Sequence, residues 1–330
     1  MLVLVWAWAT PVGAQAQDCT LKQAAAITLA SAQNGAPLVP VTIAGKTYHF
    51  LFDLSASFTL IDARLVRVLA LPVESMPARL KIEFEGVRAT GLAVLPDLQV
   101  GRIPYGTVKA AEIDRRFPSG ADGVIGLDLL ANFDLDLDLK AGKLNLFSPD
   151  HCPGKVVYWA SNYAVVPFRM DEAGHPYFTA TLDERRVTVS FDSGDSSGAM
   201  GMADANDLFG IVPDDRQLVP LSSSEDGQKL YRYPFKELSL GGVKIYHPAI
   251  SLFPQKPTEQ CRAVPKDVAD LPPASLVFGS WRACYGTTAL YLGRSELAQL
   301  HVYFAFGEKK LYVTAASGAG ATPTAEGSAP

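Results

Sequence analysis

The residues best suited to acid–base chemistry are two aspartates, each at the end of a strand-like run. Asp192 lies in the segment FDSGDSS at residues 191–197, after the β-rich run RRVTVSF. Ser193 and Gly194 follow it, and glycine allows backbone angles that are closed to other residues. A carboxylate in such a turn, with backbone N–H groups near it, can be tuned for proton transfer. Taken alone, Asp-Ser-Gly is also common turn chemistry, so the motif needs independent support.

A second copy of the pattern gives that support. Residues 43–53, IAGKTYHFLFD, align with residues 182–192, LDERRVTVSFD, and both end at Phe-Asp. Residues 124–146 also align without a gap to residues 291–313. Both of these later segments have two apolar residues and a glycine, then a short helical piece, an alternating strand, a turn and a last apolar strand. This shared order of elements predicts an internal duplication.

The two aspartate motifs, each followed much later by an apolar-apolar-glycine segment, resemble the aspartic proteases. The single repeats are similar to the retropepsin-type domains of bacterial exported proteins. The resemblance covers about residues 37–315. It implies an all-β, two-lobed, pepsin-like fold built from two homologous β-barrel-like lobes with short helices. It also implies that Asp53 and Asp192 are the catalytic dyad, share one proton and activate a water for peptide hydrolysis without a metal or cofactor.

The second aspartate motif fits the family pattern Asp-Thr/Ser-Gly, whereas the first does not. In the family, the hydroxyl residue after each aspartate braces the two loops across the lobe boundary. Ser193 can do this and Leu54 cannot. Gly194 fits the third position, whereas Ser55 adds a Cβ and a hydroxyl. The expected supporting residues are Ser193, Gly194, Ser55, Ser57 and Ser196.

This departure leaves more than one function open. The chain is expected to be an endopeptidase that acts on a peptide or protein substrate as a monomer. The alternative is a catalytically degenerate, pepsin-like module that binds peptides without cleaving them. A third interpretation keeps the fold and assigns a ligand other than a peptide.

Two hairpins are candidates for flaps that close over substrate, as the family's flaps do. The first breaks at Glu85 and Gly86, and Phe84 is its only aromatic residue. The second is indicated by Asp226 and Gly227, a favoured turn pair, with Tyr231 on the following strand. The alternative is that both are ordinary surface hairpins.

The same features divide the chain into five parts. The apolar residues 2–9 and the Ala14-Gln15-Ala16 pattern indicate a secretory signal peptide, with a membrane anchor as the alternative. The lead-in contains LKQAAAITLA, which could form a helical turn or a loose segment. We expect an exported bacterial protein, periplasmic or secreted, without stable membrane insertion. The parts are the signal peptide 1–16, the lead-in 17–36, the first lobe 37–152, the second lobe 153–315 and a disordered tail 316–330.

Four cysteines remain after removal of the signal peptide, namely Cys19, Cys152, Cys261 and Cys284. An even number in an exported chain indicates disulfides. Pairing Cys19 with Cys152 would tie the N-terminus to the end of the first repeat, and pairing Cys261 with Cys284 would staple an insert in the second. Other connectivities remain open. A zinc site that includes His151 is the alternative, but the sequence has no C-x-x-C or H-x-x-x-H spacing.

The composition fits a globular protein with a large core, since 48% of its residues are hydrophobic and 19% are charged. The net charge of −5 and the lack of a basic, aromatic stripe argue against nucleic acid as a partner. In FDLDLDL at residues 133–139, Asp134, Asp136 and Asp138 alternate with apolar residues. They are expected on a solvated strand face, with calcium binding as the alternative.

Overall fold

The computed structural model describes residues 19–77, 80–117, 120–221, 229–254 and 288–316. Several expectations fall outside these residues. They concern the signal peptide, the Asp226-Gly227 turn, Cys261, Cys284 and all but the first residue of the tail.

Strands dominate both halves, and the described helices are only four to eight residues long. The elements of the first half are β1 (Gln23–Thr28), β2 (Ala30–Ser31), β3 (Pro37–Ile43), β4 (Lys46–Phe52), β5 (Leu60–Asp62), α1 (Ala63–Val68), β6 (Val73–Glu74), β7 (Glu83–Phe84), β8 (Val87–Arg88), β9 (Gly91–Val100), β10 (Ile103–Ile113), β11 (Gly123–Ile125), α2 (Leu127–Leu130), β12 (Asp134–Asp138) and β13 (Lys143–Phe147). Those of the second half are β14 (Ala164–Met170), β15 (Pro176–Leu182), β16 (Arg185–Phe191), β17 (Gly198–Gly201), α3 (Met202–Phe209), β18 (Val219–Pro220), β19 (Tyr231–Arg232), β20 (Glu237–Leu240), β21 (Val243–Tyr246), β22 (Ile250–Phe253), β23 (Leu290–Leu292), α4 (Arg294–Leu297), β24 (Leu300–Ala305) and β25 (Lys310–Ala315).

The first lobe is a curled sheet in the order β2-β3-β4-β11-β5-β10-β9-β6. Because β3 also pairs with β9, the strands between them close into a barrel. Alternate residues of β3 are buried, as expected for a strand with one face on the core. The interior is apolar and includes Val39, Phe50, Phe52, Ile61 and Leu95.

The second lobe repeats the pairings that surround the first aspartate. In the first lobe, β11 lies parallel to β4 and antiparallel to β5, and β5 lies parallel to β10. In the second, β23 lies parallel to β16 and antiparallel to β17, and β17 lies parallel to β22. The strand that leads to each aspartate is therefore flanked in the same way.

Six neighbouring strands of a 15-stranded sheet join the lobes, in the order β1-β13-β12-β24-β25-β14. Their central pairing is β12 with β24, one strand from each half. Both alternatives for the lead-in, a helical turn and a loose segment, are wrong for Gln23–Thr28, because β1 is a strand that pairs with β13. The expected all-β, two-lobed fold is confirmed. Within the described residues, no helix is long and apolar enough to cross a bilayer.

A disulfide between Cys19 and Cys152 holds β1 against this sheet, with a Cα–Cα distance of 4.8 Å. The bridge is one of the pairings that the sequence left open. His151, the neighbour of Cys152, donates or accepts a hydrogen bond with Asp134, with 2.6 Å between Nε2 and Oδ2. Cys152 and His151, which a zinc site would have needed as ligands, are thus engaged with Cys19 and Asp134.

The expectation of a solvated face for Asp134, Asp136 and Asp138 is wrong. The three residues are only 0%, 1% and 8% exposed. The segment that links the lobes folds over their face of β12, and its Trp159 stacks on His301 with 3.9 Å between ring centroids. His301 and Tyr158 bind Asp136, and the backbone N–H of Phe306 donates to Asp134 at 3.0 Å. The alternation of apolar and polar residues in β12 therefore marks a buried polar layer and not a solvent-exposed face.

Candidate active site

Asp53 and Asp192 occupy equivalent places at the ends of β4 and β16. The last three residues of β4 are buried, and so are those of β16. The backbone N–H of Asp192 donates to the carbonyl of Leu292, the last residue of β23, at 2.8 Å. Both aspartates are buried, with 5% and 4% of their surface exposed.

The two carboxylates converge at Gly194. A Cβ placed on Gly194 would lie 3.0 Å from Oδ2 of Asp53 and 3.4 Å from Oδ1 of Asp192. The side chains of residues 139 positions apart in sequence thus reach one point, from opposite lobes. A side chain at this glycine would crowd both carboxylates, which explains the residue type.

The turn after Asp53 tolerates Ser55 where the second turn has glycine. The backbone N–H and the hydroxyl of Ser55 both donate to Oδ1 of Asp53, each at 2.8 Å. Ser55 therefore keeps the backbone donor and adds a second one. Hydrogen bonds donated to a carboxylate stabilise its negative charge. In the second turn, the N–H of Asp195 donates to Oδ1 of Asp192 at 3.2 Å.

Ser193 braces the two turns across the lobe boundary. Its hydroxyl accepts the N–H of Leu54 at 2.9 Å and donates to the carbonyl of Phe52 at 3.0 Å. Leu54 has no hydroxyl to return the contact, and its fully buried side chain packs in the apolar core. Of the two cross-lobe hydroxyl contacts that the family resemblance implies, the contact from Ser193 is present and the contact from residue 54 is not.

Two further glycines explain why an apolar-apolar-glycine segment follows each aspartate turn. A Cβ on Gly126 would lie 2.5 Å from the carbonyl carbon of Phe58, and a Cβ on Gly293 would lie 2.2 Å from that of Ser197. Each glycine lets β11 or β23 pass directly against the aspartate turn of its own lobe. The helix that follows then binds the turn, because Asp128 N–H donates to the Ser57 carbonyl at 3.1 Å.

Ser196 takes the equivalent place in the second turn. Its carbonyl accepts the N–H of Ser295 at 3.1 Å, and its side chain is exposed. The side chain of Ser57 is 8% exposed and lies 2.6 Å from Nε2 of His175, a residue of the second lobe. Sequence reasoning missed His175, because a histidine in a hairpin turn carries no signal of its own.

Arg294 is a cation beside the dyad that the sequence analysis also missed. Its guanidinium donates to the carbonyl of Gly194 and, at 3.2 Å, to the carbonyl of Asn34 in the first lobe. Burial lowers the pKa of Arg294, and the charges of Asp195, Asp192 and Asp53 oppose that shift. The signal that could have found it is its position directly after Gly293.

The first flap candidate is a hairpin of β7 and β8, with Glu85 and Gly86 in the left-handed region at φ of 47° and 81°. Phe84 packs edge-on against Phe117, with 5.2 Å between ring centroids. In the second lobe, Tyr231 lies on β19 and packs against the core beside β22. Whether either segment contacts substrate stays a prediction.

The comparisons with known proteins agree with this geometry. Residues 39–129 match a family model described as aspartyl protease. The solved structures that match include the crystal structure of basic 7S globulin from soybean, with a TM-score of 0.50 and 9% identity over 89% of this chain and 97% of that one. At that identity, the match shows the fold alone. No curated protein matches the sequence. The matched segment contains Asp53 and most of the first lobe, so this part of the chain is similar to the aspartyl proteases, and the whole chain is similar in fold to the globulin.

Proposed function

We propose that the chain is an exported aspartic endopeptidase in which Asp53 and Asp192 hydrolyse peptide bonds. The proposal rests on one observation, the approach of both carboxylates to the same point at Gly194. In the aspartic proteases, which the chain resembles, the two carboxyl groups share a proton because two neighbouring negative charges repel each other strongly. A pair with one proton can act as base and acid in the same step.

In this mechanism, a water held between the carboxyl groups attacks the scissile carbonyl. The ionised carboxylate takes a proton from the water while the protonated partner donates to the carbonyl oxygen. The roles reverse when the amine leaves. Ser55 supports the negative charge of Asp53 through its two hydrogen bonds, and Ser193 holds the two turns in register.

The substrate in this proposal is an extended peptide or protein segment between the lobes. Extended peptides bind by pairing with exposed strand edges. The hairpin of β7 and β8 is the described segment that could act as the flap. One chain supplies both aspartates, which favours a monomer. Export is favoured by the Cys19–Cys152 disulfide, because such bonds persist in oxidising compartments.

A peptide-binding module without catalysis is the second candidate, and Leu54 is the observation that favours it. A turn braced from one side can still fold, since a hydrogen bond contributes about 0.5–1.5 kcal/mol net. A displacement of about 1 Å at the reacting atoms nevertheless costs on the order of a hundredfold in rate. Such a protein would keep the peptide-binding cleft and lose the ability to hydrolyse peptide bonds.

Cleavage of a peptide library separates the two candidates. We would incubate the chain from Gln17 with the library between acidic and neutral pH, beside Asp192→Asn and the control Asp97→Asn. Asp97 is an exposed residue within β9 at a φ of 50°, which asparagine also adopts. We expect cleavage by the parent and the control, and a loss of at least about a hundredfold in Asp192→Asn, because general acid–base catalysis contributes that much. Peptide binding by the parent without cleavage at any pH would support the binding module instead.

A further inference from the structure

A hairpin turn of the second lobe contacts the Asp53 turn of the first. The turn comprises residues 171–175 between β14 and β15. At its end, Nε2 of His175 lies 2.6 Å from Oγ of Ser57, four positions after Asp53. On its other side, Nδ1 of His175 lies 3.1 Å from Oδ2 of Asp171. Three side chains thus form a chain of hydrogen bonds that crosses the lobe boundary.

Asp171 fixes both the turn and the histidine. Its Oδ1 accepts the N–H groups of Ala173 at 2.9 Å and His175 at 2.8 Å, and its own N–H donates to the His175 carbonyl at 2.9 Å. An ionised carboxylate only accepts hydrogen bonds, so Nδ1 of His175 donates to it. In the neutral ring, Nε2 then accepts the hydroxyl hydrogen of Ser57.

The first lobe has the same turn without these side chains. Ala32 N–H donates to the Ala36 carbonyl at 3.0 Å, and Gly35 N–H donates to the Ala32 carbonyl at 2.9 Å. The second turn has the matching bonds from Asp171 to His175 and from Gly174 to Asp171. On the first-lobe side, Arg294 supplies the contact across the lobes by binding the Asn34 carbonyl. The histidine therefore occurs in the hairpin that meets the Asp53 turn, whose own residue Leu54 supplies no hydroxyl contact across the lobes.

We propose that Asp171, His175 and Ser57 form a cross-lobe relay that positions the Asp53 turn and adds a second cross-lobe contact to the one from Ser193. Ser193 holds the turn at Leu54, and the relay holds it three residues later, so the backbone around Asp53 is fixed at two points from the opposite lobe. The catalytic consequence rests on the proposed protease function. The structural consequence, a rigid Asp53 turn, does not.

The same distances would suit a nucleophilic serine with a histidine base. Ser57 is 8% exposed, however, and a substrate carbonyl has little access to its hydroxyl. Its backbone is also bound to α2 through the Asp128 N–H. Burial and anchoring suit a residue that holds the turn, whereas a nucleophile needs an open approach and oxyanion donors.

The test compares His175→Phe, Ser57→Ala, the double variant and the conservative His175→Gln. The control is His49→Gln, an exposed histidine on β4. The first readout is amide hydrogen exchange of Leu54 and Ser55, which needs no activity. We expect exchange to accelerate about threefold to tenfold in His175→Phe and Ser57→Ala, as for the loss of one hydrogen bond. The double variant should add nothing further, because both changes break the same contact.

The second readout is cleavage by the same variants. We expect kcat to fall about tenfold to a hundredfold in His175→Phe with little change in KM, because the dyad is displaced while the cleft remains. His175→Gln should recover most of the loss, since its amide oxygen can accept the Ser57 hydroxyl hydrogen.

Three results would overturn the relay. They are unchanged exchange in His175→Phe, fully additive effects in the double variant, and labelling of Ser57 by a fluorophosphonate in the parent but not in His175→Phe. A parent that cleaves no peptide would refute the proposed function alone, and the exchange readout would still decide on the relay.

Discussion

Among single residues, Ser55 contacts one of the two paired carboxylates directly, because its backbone N–H and its hydroxyl both donate to Asp53. The family has glycine here, which supplies the backbone donor only. The added hydroxyl is a hydrogen bond to a charged acceptor, and such bonds are stronger than neutral ones. Serine in place of glycine thus stabilises the negative charge of the Asp53 carboxylate.

We expect Ser55→Ala and Ser55→Gly to lower kcat/KM for peptide cleavage by about tenfold, because that factor corresponds to about 1.4 kcal/mol of stabilisation. Both variants lose the hydroxyl, and only the glycine variant also loses Cβ. Steady-state kinetics on one peptide would give the comparison. Equal losses would assign the effect to the hydroxyl, whereas higher activity in Ser55→Gly than in the parent would contradict the role given to Ser55.

The aspartate turns were predictable from sequence because their function needs a local pattern. The motif consists of three consecutive residues, Asp192, Ser193 and Gly194, and its aspartate recurs as Asp53 in the first copy of the repeat. His175 was not predictable, since its role depends on which turn of one lobe faces which turn of the other. No local pattern contains that information.

At the level of elements, β12 shows that alternating apolar and polar residues along a strand can give a wrong prediction of which face is exposed to solvent. Alternation predicts one apolar and one polar face, and a polar face is usually wet. Here the polar face of Asp134, Asp136 and Asp138 is covered by the linking segment and by His301 from β24. The partners come from residues far away in sequence, so the strand itself was predictable and its surroundings were not.

The covered face gives its aspartates opposite titration behaviour. Burial raises the pKa of Asp134 despite the hydrogen bonds from His151 and Phe306. Burial also acts to raise the pKa of Asp136, but the hydrogen bonds of His301, Tyr158 and Asn145 outweigh it and lower the pKa below the usual value. A lowered carboxyl pKa contributes stability that is full above the unfolded-state pKa and lost as the pH falls through the folded-state pKa.

We expect Asp136→Asn to lower the free energy of unfolding by about 1.5–3 kcal/mol at neutral pH, the usual contribution of a hydrogen bond to a charged group. The difference from the parent should shrink as the pH falls below the ordinary aspartate range, because the parent loses the same contribution there. Urea unfolding at several pH values would measure it. Asp97→Asn is the exposed control and should follow the parent. A difference that stays constant down to strongly acidic pH would contradict the assignment.

For the whole molecule, the six neighbouring strands that join the lobes hold the two halves, and with them the two aspartates, in a fixed arrangement. Each lobe contributes a hairpin, β12 with β13 and β24 with β25, and a flanking strand, β1 or β14. The alignment of residues 124–146 with 291–313 predicted two similar hairpins. It did not predict that they pair with each other through β12 and β24, because strand pairing between repeats leaves no periodic signal in either.

The Cys19–Cys152 disulfide closes the outer edge of these six strands. The bond spans 133 residues, and it anchors the chain just before β1, whose only neighbour in the sheet order is β13. A cross-link over so long a segment restricts the unfolded chain strongly. We expect the double variant Cys19→Ser/Cys152→Ser to lose about 2–4 kcal/mol of stability to urea unfolding. Amide exchange in β1 should also accelerate more than in β24, because β24 is paired on both sides. Reducing the parent should reproduce the effect on β1. Unchanged exchange in β1 after loss of the bond would mean that pairing with β13 alone holds the edge strand in place.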